Sequence, residues 1–440
     1  MVISYFHSVT IQKELCKGCT NCIKHCPTEA IRVREGKAKI IDERCIDCGE
    51  CIRICPQHAK LAITDDLEQL SKYKYPIALP APSLYAQFSS NYTVNQILTG
   101  LFELGFYRIY EVAYGAEFVS RAVNYYLQNQ FFPKPAISSA CPAVMRLIQV
   151  KFPELINNII PIKSPMETIA LIAREAMIKD GYPPEQVGIF FISPCAAKVT
   201  AVKTNLGVTA SCVDGVIGIS SIYGELLNKL KKIKDGPNLR KSTEAGLGWA
   251  VTGGESRLVK GIHRLNVDGI TNVSKVLEEV VMGKLKDVDF IEGLACTGGC
   301  VGGPLTVVNP FMAKERIHSA LDNKKVELPD LPDRPNYKDL IWEKQIQPLG
   351  VLRLDDDIVM AMQKMEIMDV LHKNLPGLDC GSCGAPTCLA LAEDIVRGQA
   401  DEVDCLFKLR ERVTNLAEKM VEISSKMPPS IGKNEEIEEE

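Results

Sequence analysis

Residues 288–304 read VDFIEGLACTGGCVGGP. The apolar run Val288–Leu294 is too short for a free-standing helix and fits a buried strand. It breaks directly into Cys296-Thr297-Gly298-Gly299-Cys300-Val301-Gly302-Gly303-Pro304. Paired glycines around two cysteines point to a backbone drawn close to a bulky inorganic group. Working outward, three more apolar runs end in distinctive loops. Tyr75–Leu79 leads into Ala81-Pro82-Ser83, Pro135–Ser138 into Ala140-Cys141-Pro142, and Val187–Ile192 into Ser193-Pro194-Cys195-Ala196-Ala197-Lys198. Ligand sites in open α/β sheets form beyond the carboxyl ends of strands, so these loops are expected to meet. Cys141, Cys195, Cys296 and Cys300 would then share one metal centre in an α/β domain spanning 75–320. Ser164-Pro165-Met166-Glu167 reads as a capping box with proline at the first helical position, and Gly181 as the stop of that helix.

The chain has 440 residues, 46% apolar and 24% charged, which is ordinary globular composition. Its length suggests roughly three domains. A net charge of −4 offers no basic excess for a polyanion, so nucleic acid is not an expected partner. No apolar run reaches the ~18 residues of a membrane span. Met1 to Lys13 lacks the basic and apolar regions of a secretion signal. A cytoplasmic location is expected, where 17 cysteines mean metal or redox chemistry rather than disulfides.

Twelve of those cysteines fall into three groups of four. Cys16-x2-Cys19-x2-Cys22-x3-Cys26-Pro27 recurs as Cys45-x2-Cys48-x2-Cys51-x3-Cys55-Pro56. This is the bacterial ferredoxin spacing, in which three thiolates hold one four-iron cube and the fourth crosses to the other. It assigns Cys16, Cys19, Cys22 and Cys55 to one [4Fe-4S] cluster, and Cys45, Cys48, Cys51 and Cys26 to the second. A double-cluster ferredoxin-like α+β module is thus expected at 1–65. The last group, Cys380-x2-Cys383-x4-Cys388-x16-Cys405, resembles a small four-cysteine iron–sulfur domain of bacterial redox proteins, here at 353–405. A zinc site is the alternative for this less diagnostic spacing. Cys212 is left over and reads as a small packing residue.

The loops of the central domain resemble those of [FeFe] hydrogenases. The resemblance covers residues 75–320 and extends to the module in front. It rests on Ser139-Ala140-Cys141-Pro142, Ser193-Pro194-Cys195-Ala196-Ala197-Lys198 and Cys296-Thr297-Gly298-Gly299-Cys300. It implies a two-lobed α/β fold and an H-cluster: a [4Fe-4S] cube on Cys141, Cys195, Cys296 and Cys300. Cys300 would bridge that cube to a [2Fe] unit carrying CO, cyanide and azadithiolate, inserted by maturation enzymes. Pro82, Ser83, Pro194 and Lys198 match positions that enclose the cyanides, and Trp249 matches an aromatic wall. The substrates implied are H2 and protons, with a redox partner such as ferredoxin.

Departures from the family pattern fall on the proton route. Ala140 stands where productive members have a cysteine, Val123 and Tyr126 at two glutamates, and Ile160 at a serine. Ser193 replaces a methionine, Ala201 a glutamate and Leu294 a methionine. A relay needs a proton-carrying atom at every step, so slow turnover is expected. An intact metal site beside a disabled route resembles the sensory branch of the family. Two alternatives stay open: a metabolic ferredoxin-linked hydrogenase, and a non-catalytic iron–sulfur scaffold lacking the [2Fe] unit.

Residues 321–352, rich in Pro, Asp and Lys, read as a linker. Helix resumes near Asp355, with Ile358, Met362, Met365 and Met368 as a packing stripe. After Cys405, Leu406, Leu409, Val413, Leu416, Met420 and Ile423 form a heptad seam. It would pair two protomers as a homodimer, dock a partner helix or lie back on its own chain. Residues 406–440 are thus read as an amphipathic helix ending at Met427-Pro428-Pro429, then an acidic, unstructured tail.

Overall fold

The computed structural model describes residues 6–234, 236–321, 326–332 and 334–426. They form two compact units. One comprises residues up to Cys16, His25–Ala30 and Ile40–Leu352; the other comprises Lys17–Lys24, Ile31–Lys39 and the chain from Arg353 onward. The units therefore cut across the 1–65 segment read from the cysteine spacing.

The first unit is built on two parallel sheets. In the larger, strand order is 108–109, 75–80, 187–193, 215–218. Tyr75–Pro80 runs in register with Val187–Ile192. The central strand Val187–Ser193 is buried at every position because helices cover both faces. Ile77, Leu79, Ile189 and Phe191 pack with Ile169, Ala173 and Met177 of the helix Pro165–Lys179. The alternate residues Ala78, Phe190 and Ile192 pack with Leu98, Leu101 and Leu226 on the other side. The smaller sheet has the order 264–268, 290–294, 136–137. Its cover is Val144, Leu147 and Ile148 of the helix Pro142–Lys151 and Val273 and Leu277 of Ile270–Val281.

All four expected strands are present, with the second trimmed to Ala136–Ile137 and the fourth beginning at Phe290. Ser164 caps its helix by accepting from the Glu167 amide at 3.4 Å. The box is not reciprocal, because the Glu167 carboxylate instead accepts from Ser211 Oγ at 2.6 Å and the Cys212 amide at 3.2 Å. Gly181 adopts φ +85° and ends the helix. The described residues of 326–352 lack helix but are not a free tether. Leu340 and Ile346 are buried, the Trp342 amide donates to the Pro161 carbonyl at 2.8 Å, and Glu343 pairs with Lys163 at 2.7 Å. Apolar anchors without periodicity, spaced among prolines and charges, hid this strap from a pattern search.

The ferredoxin repeat is written in the backbone as well as in the cysteines. Gly18 and Asp47, Thr20 and Gly49, and Glu29 and His58 stand at equivalent places of the two runs, and all six have positive φ. Only one member of each of the first two pairs is glycine, so the loop shape is imposed by the turn rather than by the residue type.

In the second unit, helices Ile358–Asn374 and Cys388–Val396 pack around a small core of Leu375, Ala390, Leu391 and Ala392, and the helix Leu406–Ser425 follows Cys405 with no buried residue of its own. The expected packing stripe is a correction. Ile358, Met362 and Met365 are 75%, 62% and 56% exposed, and only Met368 and Leu371 reach that core. Val359, Met360, Ile367 and Val370 are exposed too, so apolar residues ring the helix instead of sharing one face. The heptad seam is likewise exposed from Leu406 to Ile423 and does not fold back within the described chain. The expected tail after Lys426 lies outside the described residues. No helix among the described residues is long and apolar enough to cross a membrane.

Candidate metal centre

The carboxyl ends of both sheets open onto one cavity in the first unit, enclosing about 910 Å³ of space free of protein atoms, its mouth included. Cys141, Cys195, Cys296 and Cys300 all line it, as do Pro82, Ser83, Ala140, Pro194, Lys198 and Trp249. Each arrives from the loop that follows a strand or opens the next helix: Cys141 precedes Pro142–Lys151, and Cys195 precedes Ala196–Lys203. Ser193 is absent from the wall. Its hydroxyl donates to the Cys195 carbonyl and accepts from the Cys195 amide, both at 3.0 Å, and so shapes the ligand loop from behind. Trp249 is held by its indole N–H donating to Ser120 Oγ at 3.0 Å. Buried Glu117 fixes the preceding turn by accepting from Thr243 and Gly246.

The donor set fits an iron–sulfur group. Burial raises the Cys195, Cys296 and Cys300 thiols, and the neighbouring sulfurs raise them further; Cys300 is pushed up to about 12. Three buried thiols that resist becoming anions are what a polycationic metal core reverses. Ser83 Oγ is buried at the wall without a hydrogen-bond partner among the described residues, as a hydroxyl awaiting an acceptor would be. Burial lowers Lys198, while the charges of Cys195, Cys300, Cys141 and Glu167 pull it up. An ammonium so placed is suited to an anionic ligand in a dry pocket.

Arg53 stands between the second ferredoxin run and this centre. Nη1 donates to the Gly302 carbonyl at 2.6 Å, Nε and Nη2 hold Glu50 at 3.2 and 2.8 Å, and the positive charge of the guanidinium opposes the rise that burial gives the Cys296 thiol. A reciprocal arginine comes from the other side: Arg146 Nε donates to the Cys45 carbonyl at 2.9 Å. Cys48 itself lines the cavity. Cys26 and Cys51 are near enough to Cys45 and Cys48 for their charges to raise both thiols beyond the effect of burial. The Ala30 amide donates to Cys26 Sγ at 3.2 Å, and the Ala59 amide to Cys55 Sγ at 3.3 Å.

Sequence reasoning missed two wall residues, Glu255 and Glu292. Glu255 accepts from Ser138 Oγ at 2.5 Å; Glu292 accepts from the amides of Gly253 at 3.0 Å and Ser256 at 2.8 Å. Burial and the Glu292 charge raise the Glu255 carboxyl to about 8. The signal was available: Glu292 is the sole charge in the strand Phe290–Leu294. Val123 and Ile160, by contrast, are buried in an apolar cluster with Phe290, offering no proton-carrying atom. Cys212 packs beside the Val213 and Val216 cluster.

The sequence pattern described as Iron only hydrogenase large subunit, C-terminal domain, matches residues 74–265 and 258–304, more than half of the chain. The chain belongs to the [FeFe] hydrogenase family. A 4Fe-4S dicluster domain pattern matches residues 8–56, and an Fe-S cluster pattern matches 375–407. Iron hydrogenase 1 of Clostridium pasteurianum is 26% identical over 382 residues, covering 69% of this chain and 66% of that protein. The periplasmic [Fe] hydrogenase large subunit of Nitratidesulfovibrio vulgaris is 26% identical over 366 residues, covering 68% of this chain and 86% of that protein. Among solved structures, a variant of the [FeFe]-hydrogenase HydA1 from Chlamydomonas reinhardtii has 18% sequence identity and a TM-score of 0.48, covering 64% of this chain and 94% of that one.

Proposed function

We propose that this protein binds H2 and oxidises it reversibly, H2 ⇌ 2 H⁺ + 2 e⁻, at the cavity. It works slowly, as a H2 or redox sensor that passes electrons through iron–sulfur clusters to a signalling partner in the cytoplasm. The observation that carries this reading is the convergence of Cys141, Cys195, Cys296 and Cys300 with Lys198 and Ser83 on one cavity. When bound, the H-cluster supplies an open iron and a basic amine at which H2 splits. The chain's part is to hold and orient that group. Four thiolates would seat it, Lys198 and Ser83 would donate to its anionic ligands, and Pro82, Pro194 and Trp249 would exclude water. Glu255, with Ser138 donating to it and Glu292 disfavouring its charge, holds a proton at the wall. Cys26, Cys45, Cys48 and Cys51 would hold the neighbouring cluster, which would serve as the electron acceptor, since Cys48 reaches the same cavity. Ala140, Val123 and Ile160 give protons no path, and the carboxylate pair is enclosed, which supports slow exchange with solvent.

A metabolic, ferredoxin-linked hydrogenase is the second reading, and the Glu255–Glu292 pair is the observation in its favour. Production with the maturation enzymes, infrared spectroscopy and H2-oxidation assays separate the readings. CO and cyanide bands with slow turnover are expected. Turnover as fast as that of productive hydrogenases would favour the metabolic reading, and absence of the bands would leave a scaffold.

A further inference from the structure

The C-terminal cysteine quartet is built into the same compact unit as the 17–24 and 31–39 segments of the first ferredoxin run. Three observations tie its ligand loop to them. First, the Val33 amide donates to the Gly384 carbonyl at 2.8 Å, and a Cβ on Gly384 would lie 1.9 Å from the Val33 carbonyl oxygen. Only glycine permits this approach. Second, Arg34 Nη1 donates to the carbonyl of Cys383 itself at 2.8 Å. Third, Asp394, almost fully buried, accepts from Arg32 Nε and Nη2 at 2.6 and 3.0 Å and from Arg34 Nη2 at 2.7 Å. At Gly381 the loop also lies against Ile23 and Lys24, beside Cys22. A buried carboxylate serving two arginines is costly unless its geometry is fixed, so this junction holds one arrangement.

The quartet itself fits a cluster. Cys383, Cys388 and Cys405 share one core. Cys380 is exposed. We propose that Cys380, Cys383, Cys388 and Cys405 hold a [4Fe-4S] cluster seated against the segment that carries Cys19 and Cys22, so that it exchanges electrons directly with the first N-terminal cluster. Each electron that reduces the first N-terminal cluster passes on, reoxidising that cluster and reducing the C-terminal one. It then leaves near Cys380 to a one-electron acceptor protein. Asp394 is a positioning residue that holds the two ligand loops together. The direction of flow rests on the function proposed above; the seating does not.

The test uses the full chain reconstituted with iron and sulfide, without the [2Fe] unit or H2, and reduced with dithionite. Electron paramagnetic resonance should show mutually broadened, fast-relaxing signals. Cys383→Ala should lose about four irons per chain and leave a slower-relaxing signal from the first cluster. Asp394→Asn should keep its iron but weaken the coupling. Should Asp394→Asn fail to fold, the comparison of wild type with Cys383→Ala decides alone. Zinc in place of iron, unchanged iron in Cys383→Ala, or wild-type spectra equal to the sum of independent clusters would each overturn the proposal. Loss of H2 activity with coupling intact would sink only the functional reading.

Discussion

Glu255 carries more consequence than any other single side chain outside the cysteines. Its carboxyl is held near 8 by burial and the Glu292 charge, against an ordinary 4.5. The folded chain therefore keeps a proton there that the unfolded chain has lost. The stability this contributes is fully present below about pH 4.5 and is lost as pH rises toward 8. Glu255→Gln should flatten that slope in denaturant titrations at several pH values. It should also reduce H2 turnover by about 10²–10⁴, the usual weight of one positioned acid–base group. Unchanged turnover would remove Glu255 from the proton route. Arg53 acts on electrons instead. Its charge beside Cys296 favours the reduced cluster, so Arg53→Gln should move the potential of the cavity cube to more negative values, with Arg53→Lys between. A redox titration followed by spectroscopy checks the order of the three.

At the scale of elements, the loops after the strands are shaped by close approach. A Cβ on Gly303 would lie 2.1 Å from the Pro194 carbonyl oxygen, between the loops that carry Cys195 and Cys300. Gly303→Ala should cost about 1–3 kcal/mol and lower iron retention at the cavity, measured by denaturation and metal analysis. Full stability and iron would show that the loops have slack. The helix Leu406–Ser425 poses a different question. Its heptad seam is exposed throughout, which leaves docking of a partner helix or pairing between two protomers, and the pairing can be tested directly. Replacing Leu409 and Leu416 with glutamate should then reduce the sedimentation coefficient from dimer to monomer, and a wild-type monomer would end that reading.

Across the whole molecule, the two compact units do not follow the order of the chain. Ferredoxin segments 17–24 and 31–39 share a unit with the C-terminal helices, and the Asp394 junction with Arg32 and Arg34 lies inside it. Breaking a buried pair by removing one charge typically costs about 3–5 kcal/mol. Asp394→Asn should therefore destabilise this unit by that order, seen as early loss of protection in hydrogen exchange over 388–396. The strands of the first unit should keep their protection. Uniform loss over the chain would mean the units unfold as one.

Cysteine spacing, the four apolar runs and the loops behind them were enough to read the metal chemistry, the α/β class and the family, because metal ligation and buried strands both leave local patterns. The proton-holding pair was not legible. Glu255 and Glu292 are 37 positions apart, and only the folded sheet brings Glu255 to Ser138 and both carboxylates to one wall. The same holds for the strap at 326–352 and for Asp394, whose partners lie some 360 residues away. Local patterns report what a residue needs from its neighbours in the chain; burial, shared protons and cross-chain charge pairs arise from neighbours in space, and those only the tertiary structure decided.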